Sequence, residues 1–328
     1  MTAFGTACAR LSCALLVFAV YEADAQDVRM WLDRMNRAVE ELNYEGTFVH
    51  VLDGNAETLH VVHRNHHGKI SERIMSLDGV GREIIREGDT VRVILPDREL
   101  VLLEEARRSE QSPLTSSLPS YSEGLEPHYE FEMYRSARVA KRPVQVIGIK
   151  PKDEYRYGYM LWLDRETAMP LKSQIRDEND DIVEQILFTQ IQISDFIPAS
   201  ALHPAIDTEG FTFLRTPPPQ PDAHAGDGEK QVLWRASILP GGFRLSAAMQ
   251  RVIAGSDYPV EHLVYSDGLA TVSVFIEDPK NDADVLEGFS SVGSTNAFSL
   301  TLDGRKVTAI GEVPKQTVRT IATSLSAE

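Results

Sequence analysis

Residues 155–193, YRYGYMLWLDRETAMPLKSQIRDENDDIVEQILFTQIQI, read as three antiparallel strands joined by two polar turns. In the first strand Tyr157, Tyr159, Leu161 and Leu163 alternate with Gly158, Met160, Trp162 and Asp164, so both of its faces are largely apolar. Such a strand needs cover on both sides. One face can take a helix, and the other must meet a second sheet or an apolar ligand. The stretch carries no nucleophile, no metal-ligand spacing and no phosphate loop.

Outward from it, the N-terminal flank predicts a helix and then a run of strands. Asp27 is a plausible N-cap, with Val28, Trp31, Leu32, Met35, Val39 and Leu42 at helical spacing and Gly46 beyond the end. Short strands follow at 47–52, 58–63, 70–77, 83–86, 91–95 and 100–103, broken by Asp53-Gly54, His67-Gly68, Asp78-Gly79, Gly88-Asp89 and Pro96-Asp97. Residues 107–127 interrupt this rhythm with Ser, Pro and Glu, as a lid, a partner-binding segment or a disordered loop would. Strands resume at 129–134 and 144–149. On the C-terminal side, TPPPQPDAHAGDG at 216–228 reads as an interdomain linker. Beyond it lie strands at 232–237, 244–249, 261–265, 270–277, 298–302 and 306–313, and a helix at 317–325.

The chain of 328 residues exceeds what one core usually supports, and the linker divides it into a large domain at 26–215 and a smaller one at 229–328. A formal charge of -16 with no long basic run argues against a nucleic-acid partner or a general anionic-membrane binder. Arg10, the apolar run Leu11–Tyr21 and Ala23-Asp24-Ala25 have the layout of a signal peptide at 1–25, which predicts export to the periplasm. Cys8 and Cys13, the two cysteines, fall inside that segment, so the exported chain would hold together by core burial alone.

Chemistry-bearing residues are not arranged for catalysis. His50, His60, His63, His66 and His67 gather in the first domain, but no H-E-x-x-H helix is present, and His60 and His63 fall on opposite faces of their strand. Asp177, Glu178, Asp180 and Asp181 lack the glycine and glutamate positions of a calcium loop and read as a solvated turn. No serine has G-x-S-x-G surroundings. The expectation is a chain with no catalytic residue, no metal and no cofactor.

The apolar faces are the remaining signal. Met160, Trp162, Ile186 and Phe188 fit an ordinary core, where large apolar side chains usually lie. Against that stands the layer count, because one short helix cannot cover a sheet of about ten strands. Part of the face must be closed by the loop at 107–127, by the second domain or by an acyl chain. Met160, Trp162, Ile186 and Phe188 are therefore the candidate cavity lining, with Leu114, Leu118 and Tyr121 as lid contacts.

Five separated blocks carry a family likeness: WLDRMNRAVEELNYEGTFVHV, HHGKISERIMSLDGVGREIIREGD, YRYGYMLWLDRETAMPLKSQIRDENDDIVEQILFTQ, VLWRASILPGGFRL and YSDGLATVSVFIE. In matching order from about Trp31 to Val313, the chain resembles the RseB/MucB family of periplasmic regulators of the envelope-stress sigma factor. That resemblance implies a mainly β, α+β protein. Its large domain would be an unclosed antiparallel barrel like LolA and LolB, wrapped on helices around an apolar cavity. A smaller C-terminal α/β domain with an antiparallel sheet would follow. The partner implied is the periplasmic part of an RseA- or MucA-like anti-sigma factor, shielded from the site-one protease DegS and released when lipopolysaccharide or a lipoprotein acyl chain is sensed. Tyr265, Phe275 and Arg251 are the candidate partner contacts in the small domain. A homo-oligomer stays open. The rival readings are a periplasmic lipoprotein or lipid carrier, which would not need the second domain, and a metal-dependent hydrolase.

Overall fold

The computed structural model describes residues 27–79, 81–105, 114–115, 118–215, 234–251, 260–277 and 287–327, without the side chains of Glu105 and Arg251. The predicted signal peptide and the 216–228 linker lie outside the described residues.

Helix α1 spans 27–41 and buries Val28, Leu32, Met35 and Val39, the stripe its spacing predicts. Each such side chain contributes about 1.5–3 kcal/mol when it leaves water. The chain then runs through β1 (Asn43–Leu52), β2 (Asn55–His66), β3 (Lys69–Ser76), β4 (Glu83–Glu87), β5 (Thr90–Leu95) and β6 (Leu100–Glu105). After the 106–128 segment come β7 (Tyr129–Val139) and β8 (Arg142–Pro151), then the three strands of the opening stretch, β9 (Gly158–Asp164), β10 (Pro170–Arg176) and β11 (Ile182–Ser194). A short strand β12 (Thr212–Arg215) closes the large domain.

These twelve strands form one sheet in the order β12-β6-β5-β4-β3-β2-β1-β11-β10-β9-β8-β7. Its two terminal strands do not pair with each other, so the sheet stays unclosed. All its pairs are antiparallel except β12 with β6. The long connection from β6 to β7 puts β11 beside β1, a pairing separated by over a hundred residues that hairpin signals cannot reveal.

Gly46 is not a helix terminus but a residue of β1, where an added Cβ would lie 2.6 Å from the Gln190 carbonyl oxygen and 3.0 Å from the Phe188 ring. A glycine is needed there for close approach beside the bulge at Thr47/Phe48. β12 carries no strand signal in the sequence, because its four residues are all exposed and show no buried period.

The face of β2 to β6 opposite Val61 is covered by residues 195–211: Ile197 and Leu202 pack on Val62, while Ile206 and Phe211 pack on Ile85, Ile94 and Val101. This strap is pinned by Glu83. Its carboxylate, fully shut from solvent, is paired with Arg73 and accepts the backbone N–H groups of Ala205 at 3.1 Å and Ile206 at 3.3 Å. A buried carboxylate needs that complement of donors.

The small domain contains β13 (Trp234–Ala236), β14 (Arg244–Arg251), β15 (Val260–Ser266), β16 (Thr271–Glu277), β17 (Gly288–Val292), β18 (Thr295–Leu302), β19 (Arg305–Gly311), α2 (Lys315–Thr323) and β20 (Leu325–Ala327). Its antiparallel sheet has the order β14-β15-β16-β19-β18-β17, and β13 pairs with β20. Val318, Ile321 and Ala322 of α2 bury one face of that sheet, against Leu263, Tyr265, Val272, Val274, Val307 and Ala309.

Several polar contacts join the domains. Tyr129 donates its hydroxyl hydrogen to Asp267 at 3.0 Å, Asn296 donates to the Tyr157 oxygen at 2.9 Å, and Thr317 donates to the Tyr155 carbonyl at 2.6 Å. Leu269 of the small domain packs on the cluster that holds α1.

Candidate functional site

Strand register decides which side chains can share a cavity. Leu161 pairs with Ser173 and Ser173 with Ile186, so Leu161 and Ile186 lie on one face, and Phe188 joins them two residues along. That is the face that packs on α1. Tyr159, Leu161 and Leu163 pack there with Val28, Leu32 and Met35 of α1, and Ile186 and Phe188 pack with Val39, Tyr44 and Phe48. Met160 and Trp162 alternate onto the opposite face. Trp162 sits half-buried beneath Lys172, whose Nζ is 4.3 Å from the ring centroid. Burial, followed by the charge of Arg176, lowers the Lys172 pKa.

Residues 114–115 and 118–125 fold over the open end of α1. Leu114 and Leu125 are buried, Leu118 touches both apolar clusters, and Tyr121 packs tilted against the Phe131 ring at 5.7 Å with Arg29 over its own ring at 5.0 Å. Burial and its hydrogen bond to Glu126 push the Tyr121 phenol up to about 12. Asn36 of α1 donates to Ser120 at 3.2 Å and ties this flap to the helix.

Beneath the flap lies a cavity of about 180 Å³ lined by Asn36, Val39, Glu40, His63, Ile70, Glu72, Arg86, Thr115, Leu118 and Ser120. Its wall is mostly polar. His63 Nδ1 donates to the Leu42 carbonyl at 2.9 Å, and its ring lies flat on Tyr44 at 4.7 Å and 7°. Burial holds the His63 pKa down at about 4, so the ring is neutral at physiological pH. A second groove, of about 450 Å³, runs between Lys150, Lys152 and Asp153 on one side and Arg176, Asp177 and Asp180 on the other, with Met160 on its wall.

In the small domain the face away from α2 presents Met249, Val264, Phe275 and Ile310, carried side by side by β14, β15, β16 and β19. Phe275 stacks on His262 at 4.4 Å and 8°.

The chain matches the family model of the MucB/RseB N-terminal domain over residues 27–206 and that of the MucB/RseB C-terminal domain over residues 228–326. The chain belongs to the MucB/RseB family. A curated relative, the sigma factor AlgU regulatory protein MucB of Pseudomonas aeruginosa, is 32% identical over 97% of this chain and 96% of its own length. The sigma-E factor regulatory protein RseB of Escherichia coli K12 is 27% identical, over 90% of this chain and 89% of its own. Among solved structures, Pseudomonas aeruginosa MucB in its complex with MucA is similar at a TM-score of 0.67 and 30% identity, over 92% of this chain and 99% of that one. A crystal structure of MucB gives a TM-score of 0.59 at 28% identity, over 93% of this chain and 98% of that one.

For a MucB/RseB protein the sequence reading placed its site residues unevenly. Ile186 and Phe188 share the concave face, and Leu114, Leu118 and Tyr121 all belong to the flap that covers it. Met160 and Trp162 alternate with Leu161 along β9, and both border, half-buried, the apolar cluster that holds Ile186, Phe188 and Leu114. Tyr265 is not a surface residue: it is fully buried, and its oxygen accepts the Ala236 N–H at 2.8 Å. Phe275 is half-buried on the face away from α2, and the Arg251 side chain lies outside the described residues. His63 of the polar cavity was weighed only as a metal ligand, and Glu72 and Arg86 beside it, like Arg156, Glu184 and Asp267 where the domains meet, were not singled out. Only Arg156 left a trace, as a cation inside the aromatic run YRYGY.

Proposed function

We propose that this chain is a periplasmic negative regulator of an envelope-stress sigma factor. It binds the periplasmic part of an RseA- or MucA-like anti-sigma factor, protects that partner from site-one proteolysis, and releases it when lipopolysaccharide or a lipoprotein acyl chain is sensed. The observation that carries this reading is likeness over both domains at once to MucB in complex with MucA, at 30% identity. The regulatory names of the relatives support a role in binding rather than in catalysis.

The flap supports the sensing half. It holds Leu114, Leu118, Tyr121 and Leu125 against the α1 cluster, so an acyl chain that displaces it inherits an apolar floor without disturbing the sheet. Release then follows from linkage: a lipid that prefers the partner-free form weakens partner binding by the same coupling free energy with which the partner weakens lipid binding. For the partner, the Met249, Val264, Phe275 and Ile310 face offers apolar area that α2 leaves open.

The test is titration of the purified protein with a MucA-like periplasmic peptide, with and without a lipid A fragment, followed by digestion with a site-one protease. Tight binding, protection from cleavage and loss of both with lipid are expected. Identical affinity with and without lipid removes the sensing claim, and recovery of lipoproteins without an anti-sigma factor in pulldowns favours a carrier.

A further inference from the structure

We propose that the acyl site belongs to both domains: the 266–270 turn of the small domain plugs it with Leu269, so that a fatty-acyl chain reaches the α1 floor only by pushing that turn away. This inference rests on the lipid-sensing reading above and names the side chain that the lipid displaces.

Two separate pieces of chain cover the apolar cluster around Val28, Leu32 and Met35. The flap supplies Leu118, Tyr121 and the buried Leu125, and the small domain supplies Leu269 from the connection between β15 and β16. The two pieces are also joined to each other. Ser122 donates its hydroxyl hydrogen to the Gly268 carbonyl at 3.2 Å, and Leu125 Cδ2 lies 3.7 Å from where a Cβ on Gly268 would stand. Gly268 has a φ of +103°, which a residue with a side chain adopts only under strain, and this lets the turn lay its backbone against the flap.

The turn is held stiffly from within. Asp267 accepts the N–H groups of Leu269 at 2.8 Å and Ala270 at 2.7 Å, and the Ser266 hydroxyl accepts the Gly268 N–H at 3.0 Å while donating to the Ala270 carbonyl at 2.9 Å. The large domain grips the same aspartate, through the Tyr129 hydroxyl at 3.0 Å and Arg156 Nη1 at 3.4 Å. One short turn therefore seats the small domain and presents Leu269 to the α1 cluster. A lipid tail and Leu269 compete for one apolar surface, and burying either excludes the other. Because the Leu269 backbone is bonded to Asp267, displacing the plug loads the interdomain contacts, and the coupling is reciprocal.

The experiment follows uptake of a fluorescent palmitate analogue by the full two-domain chain. Leu269→Ser removes the competitor and should raise affinity for the probe about tenfold, the worth of one half-buried leucine. Ser122→Cys with Gly268→Cys ties the turn to the flap. Its Cβ separation of 3.5 Å lies within the range of about 3.5–4.5 Å that a disulfide spans, and the pair would be the only cysteines after Cys13. That variant should lose uptake when oxidised and regain it when reduced, a comparison within one protein that cancels any strain at position 268. Equal uptake in the oxidised and reduced forms overturns the proposal and leaves the lipid-sensing reading standing. No uptake by any form, the unaltered chain included, overturns both. Should the cysteine variant not fold, unchanged affinity in Leu269→Ser overturns the proposal by itself.

Discussion

Arg156 Nη1 lies 3.4 Å from Asp267 Oδ2, and both side chains are wholly shut from solvent although they belong to different domains. The guanidinium is also sandwiched, 5.3 Å from the Tyr129 ring and 5.2 Å from the Phe243 ring, with a hydrogen bond to the Gly241 carbonyl. Asp267 in turn accepts from Tyr129 and from the backbone N–H groups of Leu269 and Ala270 at 2.8 and 2.7 Å.

Removing one member of a buried pair leaves an uncompensated charge, which costs about 3–5 kcal/mol. Asp267→Ala should therefore lower stability by that order in chemical denaturation. Arg156→Leu together with Asp267→Leu should cost clearly less than the sum of the single changes, because neither charge is then stranded. Strict additivity would show that the two residues are not coupled.

His63 predicts an acid limit. Its folded pKa of about 4 lies below the ordinary imidazole value of 6.5. The unfolded chain therefore takes up a proton that the fold refuses, and stability falls as pH drops from about 6.5 to about 4, by roughly 3 kcal/mol in total. Above that window the residue exacts nothing. Denaturation of the unaltered chain and of His63→Gln across this range should show the slope shrinking in the variant.

Gly46→Ala tests the close approach of β1 to β11. The added methyl meets the Gln190 carbonyl oxygen at 2.6 Å, and a backbone atom cannot swing aside as a side chain can. A loss of about 1–3 kcal/mol is expected, read as a lowered unfolding midpoint.

The two strand faces should respond differently to substitution. Leu118→Ser weakens the flap, so uptake of a fluorescent fatty-acyl probe should rise severalfold. Trp162→Glu acts on the opposite face, under Lys172, and should leave uptake unchanged. Loss of uptake in Trp162→Glu would place the acyl path on that face.

Local pattern was legible wherever one face of an element differs from the other. The α1 stripe, the hairpins at Asp53-Gly54 and Asp303-Gly304, and the three strands from Gly158 to Ser194 all follow from spacing and turn chemistry. Even the Asp177–Asp181 turn was readable, with Asp177 accepting the N–H groups of Asn179 and Asp181 at 2.9 and 3.0 Å. β17 was not, because GFSSV has no apolar alternation and all but its glycine are exposed.

The sequence by itself determined most of the elements, their order and the family, because each rests on neighbours in the chain or on blocks of residues in a fixed order. Only the tertiary structure decided that Leu161 packs with Val28, Leu32 and Met35 of α1, that Tyr265 is core, and that Glu184 meets Ser294 and Arg156 meets Asp267 where the two domains touch. Those outcomes depend on strand register and on contacts between residues more than a hundred positions apart. In a strand apolar on both faces, composition carries no sign that tells inside from outside.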